Sequence, residues 1–169
     1  GYSDDKTYAL CLQYSGYDDY DIKYMKLLIK YGANVNDTTS MNPIWATLRD
    51  KRQGREKIKY LVDQGLNLNY SQTGTPAICG QALIYKWGMV LFLMDLGADP
   101  LAGDDPKFHV AASVQRYFDK GFDVNSEHGK MALEVKRRLE QRGVKFPYRP
   151  KTESDSIKSE KQPKSKRFL

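Results

Sequence analysis

Helix-like apolar runs in this chain stop, again and again, at a glycine. The first four stops read Tyr31-Gly32-Ala33-Asn34-Val35-Asn36, Gln64-Gly65-Leu66-Asn67-Leu68-Asn69, Leu96-Gly97-Ala98-Asp99-Pro100-Leu101 and Lys120-Gly121-Phe122-Asp123-Val124-Asn125, and a weaker fifth falls at Gly143. Gly32 and Gly65 are 33 residues apart, and Gly65 and Gly97 are 32 apart. A fixed period of this length signals one structural unit copied and stacked on itself. Each stop has a physical reason. Glycine past the last helical turn takes a left-handed conformation without a Cβ penalty, and Asn34, Asn67, Asp99 and Asp123 offer side-chain bonds to the backbone of the turn that follows.

The stripe before each glycine is helical. Met25, Leu28 and Ile29 precede Gly32, Ile58, Leu61 and Val62 precede Gly65, and Val90, Leu93 and Met94 precede Gly97, each at the spacing of one buried helix face. Upstream helices open at Pro43 and near Pro76, with Thr75 as the expected N-cap of the latter. In the fourth unit Val114, Tyr117 and Phe118 keep the stripe before Gly121. Pro106 stands so close to that glycine that the spacing predicts a surviving second helix and a first helix cut to a turn through Phe108 and His109. Residues 130–142 read as a single end-capping helix with Lys136-Arg137-Arg138 on a polar face. Tyr60 and Phe92 share one register position and read as core. The reading is therefore all-α: four to five stacked helix-turn-helix units over residues 1–144, then a basic tail over 145–169.

Bulk properties fit such a stack. A hydrophobic content of 40% and a mean hydropathy of −0.66 suffice where each unit buries only a seam against its neighbours. No apolar run approaches the length of a membrane span. The net charge of +6 is uneven: residues 145–169 carry eight basic and three acidic residues, so the body is nearly neutral and gives no reason to expect a nucleic-acid surface. Pro147, Pro150 and Pro163 among Ser and Lys predict a tail that does not order on its own. Cys11 and Cys79 lie two units apart, too far to bridge, and read as free buried thiols. The chain starts at Gly1 with no pattern of a secretory leader, which leaves its compartment open.

No catalytic signature is present. The sequence has no nucleophile-elbow pattern, no phosphate loop and no zinc-protease motif. His109 and His128 are its only histidines, and the acid pairs Asp4-Asp5, Asp18-Asp19 and Asp104-Asp105 fall in expected loops. No metal ligand set and no cofactor is implied. Asn36-Asp37-Thr38 and Asn69-Tyr70-Ser71 fit the glycosylation triplet but read as turn chemistry.

Thr75-Pro76-Ala77-Ile78-Cys79-Gly80 and Gly97-Ala98-Asp99 resemble the ankyrin repeat, with its Thr-Pro-Leu-His opening and Gly-Ala-Asp close, tightly over residues 41–101 and loosely over 6–143. Trp45 and Ile78 stand where that family has histidine. The resemblance implies a non-catalytic module that holds another folded protein against a concave face of finger turns and first helices. The finger residues so marked are Asn36, Asp37, Thr38, Asn69, Tyr70, Ser71 and Leu101. From the first helices come Trp45, Arg49, Gln81 and Tyr85. Trp45 has a competing role as filler of the space left by the family's histidine. Short ankyrin-like chains with contracted ends also resemble bacterial immunity proteins, which cap a toxin or effector enzyme; a general scaffold or a host-targeted or viral adaptor is the alternative. A different reading makes the tail an electrostatic tether to nucleic acid or anionic membrane through Lys161, Lys164, Lys166, Arg167 and Phe168.

Overall fold

The computed structural model describes Leu10 and residues 21–37, 43–71 and 73–150. These residues form seven α-helices and one 3-10 helix, with no strand among them. The helices are α1 (Ile22–Lys30), α2 (Pro43–Thr47), α3 (Gly54–Asp63), α4 (Ala77–Leu83), α5 (Trp87–Asp95), α6 (Val110–Asp119) and α7 (Glu127–Gln141), with the 3-10 helix at Pro106–Phe108.

Local chemistry sets the ends. The Asp21 carboxylate caps α1 by accepting from Lys23 N–H at 3.0 Å, and the Ser126 hydroxyl caps α7 by accepting from Gly129 N–H at 3.0 Å. Helix α4 differs from expectation. It begins at Ala77, Pro76 takes the cap position, and no side chain caps it. At Gly32, Gly65, Gly97 and Gly143 the backbone is left-handed, and a matched pair of hydrogen bonds closes the helix. In the first of these, Gly32 N–H donates to Ile29 C=O at 2.9 Å and Ala33 N–H to Leu28 C=O at 3.0 Å. The same pair recurs at the other three.

Helices α2 and α3, α4 and α5, and α6 and α7 pack as successive hairpins, while α4 lies against α6 and α5 against α7. First helices thus neighbour first helices, and second helices neighbour second helices. Between the two earlier hairpins, the Trp45 ring of α2 lies over Gly80 of α4. Arg55 of α3 donates to Gly88 C=O at 3.2 Å and sits over the Phe92 ring of α5 at 4.9 Å. Further along, Arg138 of α7 pairs with Asp95 of α5 and with Glu134. The guanidiniums of Arg137 and Arg138 hold the Glu134 carboxyl down at about 2.

This packing corrects the expected end of the stack. Helix α6 is not the second helix of a contracted unit. It occupies the first-helix place beside α4, α7 supplies the second helix beside α5, and together they complete one hairpin. The Phe108 turn is the 3-10 helix that leads into α6. Gly121 therefore lies in the connection inside a hairpin, not between units. It shares the left-handed backbone and donates to Phe118 C=O at 2.9 Å, but among the described residues the second bond of the pair is not formed. The residues after the other early stops, Ala33, Leu66 and Ala98, are buried, whereas Phe122 is 42% exposed.

The folded body also runs past residue 144. Phe146 and Tyr148, assigned to the tail on composition, pack against the core. Tyr148 N–H donates to Gln115 Oε1 at 2.8 Å, and Lys136 lies over the Phe146 ring at 5.1 Å. Residues 151–169 are outside the described residues.

Candidate binding surfaces

The connections fall into two groups. Those between hairpins carry the glycine stops; those within hairpins (residues 48–53, 84–86 and 120–126) lie at the other ends of the helices.

At the stops, each turn is built as the sequence reading expects. Asn34, Asn67, Asp99 and Asp123 accept at Oδ1 from the N–H two residues on, at 2.8–3.0 Å. A second set of bonds, not foreseen, runs between units. Asn36 Oδ1 accepts from Asn67 N–H at 2.7 Å, while its Nδ2 donates to Gly65 C=O at 2.7 Å. One unit later Asn69 Oδ1 accepts from Asp99 N–H at 2.8 Å. These asparagines stitch each turn to the next. Their amides are engaged in the fold, which favours turn chemistry over glycosylation for both triplets. Asn36→Ala leaves Asn67 N–H and Gly65 C=O to water and is expected to cost about 1 kcal/mol; a urea melt that matches the parent's would remove the stitch from the account.

The other marked finger residues are spread out. Asp37, Tyr70 and Ser71 are half-buried, with the Ser71 hydroxyl 3.2 Å from that of Thr73. Val35 and Leu68, beside Asn36 and Asn69 in these turns, are each 7% exposed and belong to the core. Leu101 is half-buried and lines a shallow cavity with residues 142–145 and 147–149. Thr38 lies outside the described residues, as do Lys161, Lys164, Lys166, Arg167 and Phe168 of the tail.

Of the residues assigned to the first helices, Arg49 instead follows α2, which ends at Thr47, and is exposed. Trp45 is half-buried, with its ring against Gly80 of the next hairpin. Gln81 is only 6% exposed and so offers no open surface.

Tyr85 sits at the hairpin-connection end. Its φ of +56° is left-handed, a conformation that costs a bulky residue energy and that only glycine adopts freely. Its ring meets Trp87 at 5.7 Å, Tyr117 at 5.4 Å and Phe122 at 5.6 Å, with the Lys120 ammonium over it at 5.4 Å. His128 locks this nest. Its Nε2 lies 2.6 Å from Tyr85 C=O and so donates, which leaves Nδ1 to accept from the Tyr117 hydroxyl at 3.2 Å. Burial, with the negative charge of Asp123 nearby, raises the Tyr117 phenol. Around the nest Ile84 is 59% exposed, and Leu83 and Val124 are also exposed. Sequence reasoning marked Tyr85 but missed Ile84, Phe122 and His128. The available signal was Phe122, a bulky ring in a position where the other stops hold residues that are buried.

Among the described residues no group of His, Cys, Asp and Glu is placed to hold a metal ion, and no helix is long and apolar enough to cross a membrane. Cys79 is a buried free thiol bonded to Ala102 C=O at 3.3 Å, and burial pushes it up to about 11, so it stays protonated. No protein-family model matches the chain, and no curated protein matches it.

Proposed function

We propose that this chain is a non-catalytic protein-binding module whose helical hairpins stack in the ankyrin manner and whose activity is to hold another folded protein. Tyr85 is the observation that carries the reading. Its ring is held on a costly left-handed backbone, at the centre of an aromatic nest rimmed by exposed Ile84 and Phe122. Strain of this kind persists where surrounding structure fixes it, and it clusters at binding sites. Exposed apolar side chains gathered around rigid aromatics are the usual make-up of a contact surface. The side-by-side hairpins, joined by the asparagine stitches, supply the stiffness that such a surface needs to bind without a large ordering cost.

The test is capture from the native host with the full chain as bait. Ile84→Asp changes an exposed side chain, so its stability should stay within about 0.5 kcal/mol of the parent, while recovery of the partner should fall about tenfold or more, the loss of one central contact. Equal recovery by both baits would place the partner elsewhere. The narrower form of the proposal, an immunity protein, requires that the captured partner be a toxin or effector enzyme whose activity the chain suppresses.

A further inference from the structure

Leu101 stands at the stitch position. Asn36 follows Gly32 by four residues, Asn69 follows Gly65 by four, and Leu101 follows Gly97 by four. The first two asparagines reach the backbone of the next stop, but a leucine cannot. Its unit faces the stop at Gly143, and there a cavity of about 420 Å³ opens, lined by Leu101 and residues 142–145 and 147–149. By analogy with Asn67 and Asp99, the backbone donor left over is Lys145 N–H, two residues past the glycine. Among the described residues it has no partner.

Three cations gather at the cavity, at the start of the basic part of the sequence. Residues 142–169 hold nine Lys or Arg and three acids, which equals the whole net charge of +6 and leaves residues 1–141 balanced. Arg142, Lys145 and Arg149 line the opening, and among the described residues none of them is paired with an acid. Beneath them Leu101, Val144 and Tyr148 provide an apolar floor.

We infer that this cleft is a second binding site, distinct from the Tyr85 surface, and that it takes an acidic peptide segment of a partner protein. A carboxylate of that segment accepts from Lys145 N–H, the role that Asn36 and Asn69 fill at the earlier steps, with the neighbouring cations balancing its charge. A bulky apolar side chain of the segment covers the floor. The chemistry favours a peptide over the other anions. Nucleic acid needs a continuous basic track, and the cleft offers three cations, Arg142, Lys145 and Arg149, around one apolar floor. A membrane surface needs protruding apolar residues, and Leu101 and Tyr148 are half-buried.

The experiment is fluorescence anisotropy of a labelled peptide of glutamates around one phenylalanine, titrated with the full chain. Binding should weaken as salt shortens the screening length from about 10 Å at 0.1 M to about 3 Å at 1 M. Arg142→Glu with Arg149→Glu should reduce affinity about tenfold or more, the sum expected of several exposed ion pairs. Leu101→Asn supplies the missing stitch from within and should reduce it likewise. Should that variant fail to fold, the charge reversals, on exposed positions, decide alone. Ile84→Asp should bind the peptide as the parent does, which separates this site from the Tyr85 surface. No binding up to millimolar peptide, affinity unchanged by the charge reversals, or tighter binding through the same residues to a single-stranded oligonucleotide or an anionic vesicle would each overturn the inference.

Discussion

Trp87→Ala is expected to cost about 3–5 kcal/mol, the range for deleting a large aromatic from a core. Trp87 is 0% exposed at the start of α5. Its ring stands edge-on to Tyr117 of α6 at 5.3 Å and lies 6.5 Å from His128 of α7. The loss would therefore empty the joint between the last two hairpins. For a chain of this size it should lower the melting temperature by on the order of 10 °C. Trp87→Phe should behave quite differently. The indole Nε1 is buried without a hydrogen-bond partner, and a buried unpaired donor costs about 1–3 kcal/mol. Phenylalanine removes that donor while leaving a smaller void, so the two effects offset and the variant should stay within about 1 kcal/mol of the parent. If both variants lost the same stability, packing at this joint would not be what Trp87 contributes. Thermal melts of the three proteins decide it.

Gly129→Ala should be the next most damaging change, although alanine normally strengthens a helix by about 1 kcal/mol relative to glycine. Gly129 lies in the first turn of α7, where the chain doubles back from residues 123–124. A Cβ there would overlap the Asp123 carbonyl oxygen and come within 2.6 Å of Val124 Cα. These are backbone atoms, so the connection itself must shift, taking with it the Ser126 cap and the bond from the Ser126 hydroxyl to Asp123 C=O. Overpacking of this kind costs about 1–3 kcal/mol or more, and we expect a net loss near 2 kcal/mol after the helical gain. Gly88→Ala is the control. Its Cβ would meet only the sulfur of Met131, at 3.2 Å. A flexible side chain can yield there, so this variant should be neutral or slightly more stable. Denaturant midpoints that move the same way for both would show that helix propensity, not close approach, governs these glycines.

Much of the fold was legible because its punctuation is local. Gly32, Gly65 and Gly97 announce a left-handed residue, and Asn34, Asn67 and Asp99 announce the turn that follows it. Both need only neighbouring backbone. The same locality produced the main error. Gly121-Phe122-Asp123-Val124-Asn125 copies the motif, and Asp123 even makes the same bond to Asn125 N–H at 2.8 Å. What separates it from a true stop is whether the following residue is buried by the next unit, a fact about packing that no five-residue window contains. The candidate surfaces were harder to read for a related reason. Asn36 and Asn69 were marked as contact residues because the resemblance puts them on finger turns, but their partners lie 31 and 30 residues further on. Gln81 looked like surface for its amide, yet Ala77, Ile78, Cys79 and Ala82 around it are all buried. Tyr85 was marked, but as part of a first helix, whereas it stands in the connection after α4, which ends at Leu83. Ile84 and Phe122, which complete its surroundings, come from two different hairpins.

The stitches are vectorial. Both asparagines reach toward the C-terminus, to backbone that leaves the ribosome later than they do. Chains emerge N-terminal end first, so Asn36 and Asn69 each leave the ribosome before the backbone they fix, and an earlier turn sets the register of a later one. A duplication that copied one repeat with its asparagine would bring its own connector and extend the array without any change to the older copies.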